Sequence, residues 1–375
     1  MIEHQPLRHI LCIRADNMGD VIMSSPAIRA LKQTFGSRIT LLTSQAGALV
    51  APYLDCVDGL ITADLPWTGH AGATDCVLPA LAGEIAAMRF DAAIIFTVYS
   101  QSALPAALLA YMTGIPVRVA HARENPYALL TTWLPDQEPY EQISHQVERD
   151  LNLVQALGAG VADDRLSLSL DPNIPAGLQR KLSSVFIASD TSYIVLHPGV
   201  SEEKRKYPVE LWVKAGRLLA AKFGLPLLIS GASSEKVLAE SVAAGIGAGA
   251  WSVAGMLSLG EFIALTDKAA CVVSVNTSTI HIAAAVQTPV VVLYAQTNPQ
   301  HTPWKSPHEV LPFSVPDHLQ SRNVIVRHVA RNLYRDEIPY PDPVEIVKAV
   351  ERLLLTSKAA PRPLAEQVRY RRACL

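Results

Sequence analysis

The sequence predicts an α/β protein made of two Rossmann-like domains, each with a parallel sheet, that face each other across a cleft. Short apolar runs rich in Val and Ile alternate with longer segments of helical periodicity, which is typical of βαβ units. This alternation occurs twice, once in each half of the chain. The length of 375 residues suits two domains of ordinary size.

Five strands and three helices are predicted in the first half of the chain. The predicted strands are Leu7–Arg14, Arg38–Leu42, Gly59–Thr62, Ala92–Phe96 and Val117–Ala120. The predicted helices are Ala27–Phe35, Ser102–Met112 and Gln146–Leu157. Ser25 is predicted to cap the first helix, because Ser is a favoured capping residue. Pro26 is predicted to be its first residue, because the N–H that proline lacks has no partner at that position of a helix.

The pattern restarts in the second half. The predicted strands are Tyr193–Leu196, Pro226–Ile229, Cys271–Val275 and Val290–Tyr294. The predicted helices are Val209–Phe223, Ser234–Ala244, Leu259–Thr266, Thr279–Val286 and Val344–Leu355. We therefore predict an N-terminal domain over residues 1–175, a C-terminal domain over 190–340, and a terminal helix with a basic tail over 341–375. The hinge is expected within Asp171–Ser192, where two prolines and polar residues interrupt the pattern.

Composition and missing motifs exclude several classes of protein. Half of the residues are hydrophobic and the net charge is −2, so nucleic acid is not an expected partner. Five cysteines without a C-x-x-C pair predict neither a zinc site nor a disulfide framework. No apolar run is long enough for a signal peptide or a membrane span, so a cytoplasmic location is expected. The chain has neither a D-x-D pair nor a P-loop, and neither a metal nor a cofactor is predicted.

The loop after the first strand offers a carboxylate. Ligands of open α/β sheets bind at the carboxyl ends of the strands, and Gly19 and Asp20 follow the first strand there. A carboxylate in that place can take a proton from an incoming hydroxyl group. The alternative is that Asp20 only caps the next helix and complements its dipole. From this motif alone the two interpretations are equally supported.

The second half offers a possible anion site after the strand that ends at Val275. Free N–H groups at a helix start, with hydroxyls from Thr277, Ser278 and Thr279, suit a phosphate group, and His281 adds a donor. The alternative is an ordinary helix cap beside a packed histidine.

Two further loops of the second half carry charge. Lys204, Arg205 and Lys206 follow its first strand and can neutralise a diphosphate without a metal, or they are a solvated run of surface charge. Glu235 can accept from ribose hydroxyls, or it is a capping carboxylate. Because these loops are expected at the same edge of one sheet, their convergence favours the functional interpretation.

Five blocks of sequence resemble glycosyltransferase family 9, the ADP-heptose:lipopolysaccharide heptosyltransferases. The blocks are MGDVIMSSPAIRALK, GIPVRVAHARE, ISHQVERDLNLVQALG, LHPGVSEEKRKYPVELW and VNTSTIHIAAAVQTPVVVLYAQTNP. The resemblance implies a GT-B fold with an acceptor-binding N-terminal domain and a nucleotide-sugar-binding C-terminal domain. It also implies inverting sugar transfer in one displacement, without an essential metal.

The resemblance assigns a role to each candidate residue. Asp20 is implied as the general base. Acceptor contacts are implied for Gly19, Arg118 and Arg123. Donor contacts are implied for His197, Gly199, Ser201, Lys204, Arg205, Lys206, Glu235, Asn276, Thr277, Ser278, Thr279 and His281. Asn276 and Ser278 stand where the family has Asp and Gly, so we expect a donor preference shifted away from ADP-heptose.

Two alternatives and the expected partners complete the prediction. In the first alternative, the chain is a catalytically silent relative that binds a glycan or a nucleotide sugar. In the second, it is another GT-B enzyme, such as a nucleotide-sugar epimerase. The expected partners are a nucleoside-diphosphate sugar, resembling ADP-heptose, and a lipopolysaccharide-core or other lipid-linked glycan. Weak, salt-sensitive contact with anionic lipid of the inner leaflet is expected through basic residues. These are Arg118, His121, Arg123, Arg369, Arg371 and Arg372.

Overall fold

The computed structural model describes residues 7–68, 77–183, 187–188, 191–359 and 369–370. The chain divides into two compact units, Met1–Leu166 and Ser167–Leu375. Most of the basic tail, including Arg371 and Arg372, lies outside the described residues. No helix within the described ranges is long and apolar enough to cross a membrane.

The first unit is a six-stranded parallel sheet in the order β3-β2-β1-β4-β5-β6. Its strands are β1 (His9–Arg14), β2 (Arg38–Thr43), β3 (Gly59–Thr62), β4 (Ala92–Ile95), β5 (Val117–Ala122) and β6 (Thr132–Pro135). Its helices are α1 (Met18–Phe35), α2 (Gln45–Ala48), α3 (Val77–Met88), α4 (Leu104–Met112) and α5 (Gln146–Gln155). The central strands are almost wholly apolar and buried, as expected for parallel strands covered on both faces.

Helix α1 begins earlier than the sequence pattern predicts. It starts at Met18 after Asn17, so the prediction of Ser25 as cap and Pro26 as first residue is wrong. Pro26 lies inside the helix, where its missing N–H leaves the carbonyl of Ile22 without its usual partner. The Ser25 hydroxyl donates to that carbonyl at 2.7 Å. The Ser25 hydroxyl therefore replaces the hydrogen bond that Pro26 cannot make, and neither residue starts the helix. The helix ends at Gly36, which has a φ of 62°.

The second unit repeats the same strand order. Its six-stranded parallel sheet runs β10-β9-β8-β11-β12-β13, and a separate two-stranded sheet pairs β14 with β7. The strands are β7 (Ser169–Leu170), β8 (Ile194–His197), β9 (Leu227–Ile229), β10 (Ala250–Ser252), β11 (Cys271–Val275), β12 (Val290–Ala295), β13 (His308–Phe313) and β14 (Arg369–Tyr370). The helices are α6 (Ile174–Ser183), α7 (Val209–Phe223), α8 (Lys236–Ile246), α9 (Leu259–Lys268), α10 (Ser278–Ala285), α11 (Val324–Leu333) and α12 (Pro343–Ala359).

The order 3-2-1-4-5-6 in both sheets fixes where ligands are expected. The direction of the crossovers reverses between β1 and β4 in the first unit and between β8 and β11 in the second. Loops at the carboxyl ends of these strands flank the crevice in which doubly wound sheets bind ligands. The segment Asp171–Ser192, predicted as a hinge, contains α6, whose Lys181 Nζ lies 2.6 Å from Glu261 Oε2 on α9. This part of the predicted hinge is therefore held to the second unit.

Candidate functional site

Asp20 lies in the first turn of α1, directly beyond the carboxyl end of β1. Its Oδ2 accepts from the Asn17 N–H at 3.2 Å, and its Oδ1 accepts from Arg14 Nη2 at 3.0 Å. The Arg14 side chain is completely buried and also lies 3.2 Å from Asp16 Oδ2. Burial alone would lower the pKa of Arg14, but Asp16 and Asp20 outweigh that effect and raise it. Asp20 therefore both caps the helix and neutralises a buried cation, and 13 % of its side chain stays exposed.

A buried polar network lies beside this position. Asp150 on α5 accepts from the Ser24 hydroxyl of α1 at 2.6 Å and from Gln146 Nε2 at 2.8 Å. Gln146 Nε2 also donates to the Thr97 carbonyl at 3.2 Å, beyond the end of β4. The network thus fixes α1 and α5 against the carboxyl end of β4, next to the loop that carries Asp20.

The continuation of this network is a set of buried ion pairs. Arg149 donates to both carboxylate oxygens of Asp136, at 2.8 and 3.0 Å, and to Glu138 Oε2 at 3.1 Å. Its Nε donates to the Thr97 carbonyl at 3.0 Å. The three charged side chains are at most 5 % exposed. A buried cation with two carboxylates and a carbonyl is satisfied in charge and in hydrogen bonds, which holds the loops after β4 and β6 together.

The burial of Asp150 predicts that the stability of the chain depends on pH. Burial raises its pKa from the ordinary 3.8 to about 6, although Arg14 and its hydrogen bonds oppose the rise. The folded chain therefore holds this proton more tightly than the unfolded chain, and the resulting stabilisation is lost as the pH rises from about 4 to about 6. Asp150→Asn should not show this loss. We expect the unfolding free energy of the unmodified chain to fall relative to the variant across this window, by on the order of 3 kcal/mol.

Chemical unfolding of both proteins at several pH values measures this difference. The exposed Asp171→Asn is the matched control, and its curve should run parallel to that of the unmodified chain. Parallel curves for Asp150→Asn as well would show that Asp150 is not protonated in this window.

The predicted acceptor-binding arginines lie deeper than the sequence suggested. Arg118 is 9 % exposed, and its guanidinium donates to the carbonyls of Leu129 at 2.8 Å and Ala128 at 2.9 Å. Arg123 Nη2 donates to the Tyr99 carbonyl at 2.6 Å and to Asp136 Oδ2 at 3.0 Å. Both arginines thus hold loops of the first unit, and this use of their donors lends no support to contact with lipid.

His121 is also unsuited to binding anionic headgroups by charge. Burial, and secondly the neighbouring Arg149, lower its pKa to about 4. The imidazole is therefore neutral near pH 7.

In the second unit, the loops after β8 and β11 meet. Arg205 lies at the end of a single 3-10 turn after β8, and its Nη1 donates to the carbonyl of Asn276 at 3.0 Å. Its Nη2 also pairs with Glu202 Oε1 at 2.5 Å. Lys204 pairs with Glu202 at 2.6 Å, and Lys206 pairs with Glu203. Arg205 is thus the member of the predicted cation run that the structure brings to the β11 loop.

Two donor groups at this meeting point have no hydrogen-bond partner among the described residues. They are Arg205 Nε and the Thr277 hydroxyl, and both atoms are buried. A buried donor without a partner costs about 1–3 kcal/mol, so such groups are uncommon unless a ligand completes them. Both donors suit an anion that would lie between the two loops.

The loop after β9 reaches the loop after β8. The Glu235 carboxylate accepts from the Ala232 N–H at 2.7 Å. A Cβ on Gly199 would lie 2.2 Å from Glu235 Oε1, so a larger residue there would displace the Glu235 carboxylate from this position. His197, the last residue of β8, pairs through Nδ1 with the Ser230 hydroxyl at 3.0 Å. Burial lowers the pKa of His197 to about 4, so this ring contributes a polar contact and not a charge near pH 7.

The side chain of Asn276 is hydrogen-bonded to residues at the carboxyl end of the adjacent strand, β12. Its amide nitrogen donates to the Ala295 carbonyl and to the Thr297 hydroxyl, both at 3.1 Å, and its Oδ1 accepts from the Ala295 N–H at 3.2 Å. An aspartate here could not donate to the carbonyl. Both amide hydrogens are thus used, whereas Oδ1 accepts one hydrogen bond and has a second lone pair.

The remaining predicted donor residues lie around the start of α10 or on the surface. Thr277 precedes the first residue of the helix, Ser278. Thr279 and His281 are buried, and the His281 ring packs edge-on against His301 with 6.3 Å between centroids. Ser201 is exposed. Within the described ranges, no group of three or more His, Cys, Asp or Glu side chains could hold a metal ion.

The structure adds a buried polar network that the sequence analysis missed. Gln146, Arg149 and Asp150 lie on the buried face of α5. The sequence contains a sign of this network. Gln146, Arg149, Asp150 and Leu153 recur at the spacing of a buried helix face, and polar side chains at such positions indicate a buried network.

Two doubly wound units with ligand loops at the carboxyl ends of their sheets define an α/β protein with paired Rossmann-like domains, as predicted. The chain belongs to glycosyltransferase family 9, whose model, described as heptosyltransferase, matches residues 79–321. The matched stretch contains the loops of the second unit and leaves Asp20 outside it. A comparison with curated protein sequences gives no significant match.

Solved structures show the same fold at low sequence identity. A family 9 glycosyltransferase from Veillonella parvula is 18 % identical with a TM-score of 0.75, covering 94 % of this chain and 99 % of its own. The ADP-heptose lipopolysaccharide heptosyltransferase II of E. coli is also 18 % identical, with a TM-score of 0.70 and coverage of 93 % and 99 %. The E. coli heptosyltransferase WaaC with ADP is 20 % identical, with a TM-score of 0.59 and coverage of 87 % and 98 %. The predicted GT-B class is confirmed.

Proposed function

We propose that this chain transfers a sugar from a nucleoside-diphosphate donor, ADP-linked, to a hydroxyl of a lipopolysaccharide-core or other glycan acceptor. The sugar is a heptose or a related sugar, and the transfer inverts the anomeric centre without an essential metal. The observation that supports this most is the pair of unpartnered buried donors, Arg205 Nε and the Thr277 hydroxyl, where the β8 and β11 loops meet.

The second unit has the chemistry that a nucleoside diphosphate needs. Arg205 supplies a cation beside the start of α10, where backbone N–H groups favour negative charge. Glu235, close to Gly199, is suited to accept from ribose hydroxyls. The same arrangement stabilises the negative charge that gathers on the departing diphosphate.

The proposed reaction is a single displacement. The acceptor oxygen forms a bond to the anomeric carbon as the bond from that carbon to the diphosphate oxygen breaks, and Asp20 takes the hydroxyl proton. The buried guanidinium of Arg14 lies 3.0 Å from this carboxylate. The diphosphate leaves with the bonding electrons, and Arg205 and the N-terminus of α10 stabilise its negative charge.

A release assay tests the proposal. The chain is incubated with ADP-, UDP- and GDP-sugars, with and without a glycan extract, and free nucleoside diphosphate is measured. We expect release from an ADP-sugar only with acceptor present, and the same rate in EDTA. Binding of ADP without release would favour a silent binding protein, epimer formation without acceptor would favour an epimerase, and loss of activity in EDTA would overturn the metal-free account. An ADP-heptose preference would count against the expectation drawn from Asn276.

Arg205 and Lys206 give a matched pair of variants. Arg205→Met should weaken ADP binding about tenfold to a hundredfold, because a hydrogen bond to a charged group contributes about 1.5–3 kcal/mol. Lys206→Met makes the same change of charge at the next residue, but that side chain is 53 % exposed and pairs with Glu203, so a change below about threefold is expected. Calorimetric titration measures both, and equal losses would show that general charge, not the Arg205 contact, binds the nucleotide.

A further inference from the structure

A cavity lies in the second unit, beyond the carboxyl ends of β12 and β13. Its volume is about 450 Å³. Gln296 and Thr297, which follow β12, and Ser314, which follows β13, form part of its wall. Helix α11 and the residues just after it form another part. This volume is within the range of small-molecule sites and exceeds what a lone inorganic anion requires.

Three arginines line the cavity. Arg335 lies beyond the end of α11 at Leu333, whereas Arg327 and Arg331 are four residues apart on the helix. Neighbours at this spacing lie on the same side of a helix, where like charges destabilise it. The side chains of all three are exposed and make no hydrogen bond or ion pair with any residue in the described ranges. The charges therefore remain uncompensated by the protein itself.

The rest of the wall combines polar and apolar groups. The Ser314 hydroxyl donates to Gln296 Oε1 at 3.1 Å, and Thr297 accepts from Asn276. Val315 and Val326 add an apolar surface. A guanidinium binds phosphate through two parallel hydrogen bonds, whereas hydroxyl, amide and apolar groups suit a sugar ring.

We propose that this cavity binds a sugar carrying a phosphate monoester, at a site beside that of the nucleotide donor. The phosphate contacts Arg327, Arg331 and Arg335, and the sugar lies toward Gln296 and Ser314. The cavity borders the proposed donor site, since Lys204 and Thr297 also line it and Thr297 accepts from Asn276, but Arg205 itself does not line it. This inference goes beyond the proposed function, because binding here requires no sugar transfer.

Calorimetric titration of the full chain at low ionic strength tests the site. The probes are glucose 6-phosphate, inorganic phosphate and glucose. We expect glucose 6-phosphate to bind most tightly, inorganic phosphate more weakly, and glucose not at all. The double variant Arg327→Gln with Arg331→Gln should weaken glucose 6-phosphate binding at least tenfold, and glutamine keeps a helix propensity close to that of arginine.

A second double variant controls for charge. Arg180→Gln with Arg322→Gln removes the same charge from two exposed positions that do not line the cavity. We expect it to change glucose 6-phosphate binding less than twofold. An equal loss in both double variants would mean non-specific attraction and would overturn the proposal. So would an absence of binding by both phosphate probes.

ADP titration separates this site from the donor site. The Arg327 and Arg331 double variant should bind ADP within twofold of the unmodified chain, and a matching loss of ADP binding would make the cavity part of the donor site. Binding to phosphatidylglycerol vesicles that this variant loses, without binding of either phosphate probe, would make the face a lipid surface instead. Failure of the release assay alone would overturn the proposed function and leave these binding results intact.

Discussion

Asp20→Asn is expected to lower turnover by on the order of a hundredfold or more while ADP binding changes little. Asparagine has nearly the shape of aspartate and can still cap α1, but it cannot take a proton from the acceptor hydroxyl. A group that acts only in the chemical step affects kcat more than donor affinity. Steady-state release of nucleoside diphosphate, with ADP titration beside it, measures the two quantities.

Asp16→Asn is the matched control for this experiment. Asp16 also faces Arg14, at 3.2 Å, and both carboxylates have 13 % of their side chains exposed. Both variants therefore remove one negative charge from the same buried guanidinium. We expect Asp16→Asn to keep turnover within about tenfold of the unmodified chain. A hundredfold loss in Asp16→Asn with near-normal turnover in Asp20→Asn would transfer the role of base to Asp16.

Arg149→Met is expected to destabilise the first unit by about 3–5 kcal/mol. The substitution keeps most of the apolar stem but leaves Glu138 buried without its cation and leaves Asp136 with Arg123 alone. Removing one partner of a buried ion pair has a cost of this size because the remaining charge is neither solvated nor paired. Urea unfolding followed by tryptophan fluorescence and by circular dichroism measures the change.

The comparison variant is Arg165→Met. Arg165 pairs with Asp163 at 3.0 Å, but the two side chains are 38 % and 49 % exposed. An exposed pair contributes about 0–1 kcal/mol, so the unfolding curve should move little. If the free energy of unfolding falls by the same small amount in both variants, the Arg149 network does not stabilise the unit.

The alternation of strands and helices was predictable because buried parallel strands are continuous apolar runs. β3 and β11 match the predicted bounds at Gly59–Thr62 and Cys271–Val275, and α7 matches at Val209–Phe223. The start of α1 was not predictable from propensities, because a single hydroxyl compensates for Pro26 within the helix. β6 and β13 were missed because they are half-exposed strands with interrupted apolar patterns, and β6 is also only four residues long.

The site was predictable at the level of loops and less so for single side chains. The carboxyl ends of parallel strands share one edge of a sheet, so the meeting of the β8 and β11 loops follows from strand order. Which cation reaches the β11 loop does not follow, since it depends on the direction that one 3-10 turn gives to the side chain of Arg205. The partners of Asn276 depend on β12, which is close in space through sheet pairing and not through sequence.

The buried contacts of α5 also have a consequence for local opening of the chain. Asp150 ties this helix to α1, and Arg149 ties it to the loops after β4 and β6. The amides of α5 cannot be released by fraying of that helix alone, because its departure would expose an arginine and three carboxylates together. These segments should therefore exchange their amide hydrogens as one cooperative unit, with protection close to that of the central strands although α5 is only ten residues long.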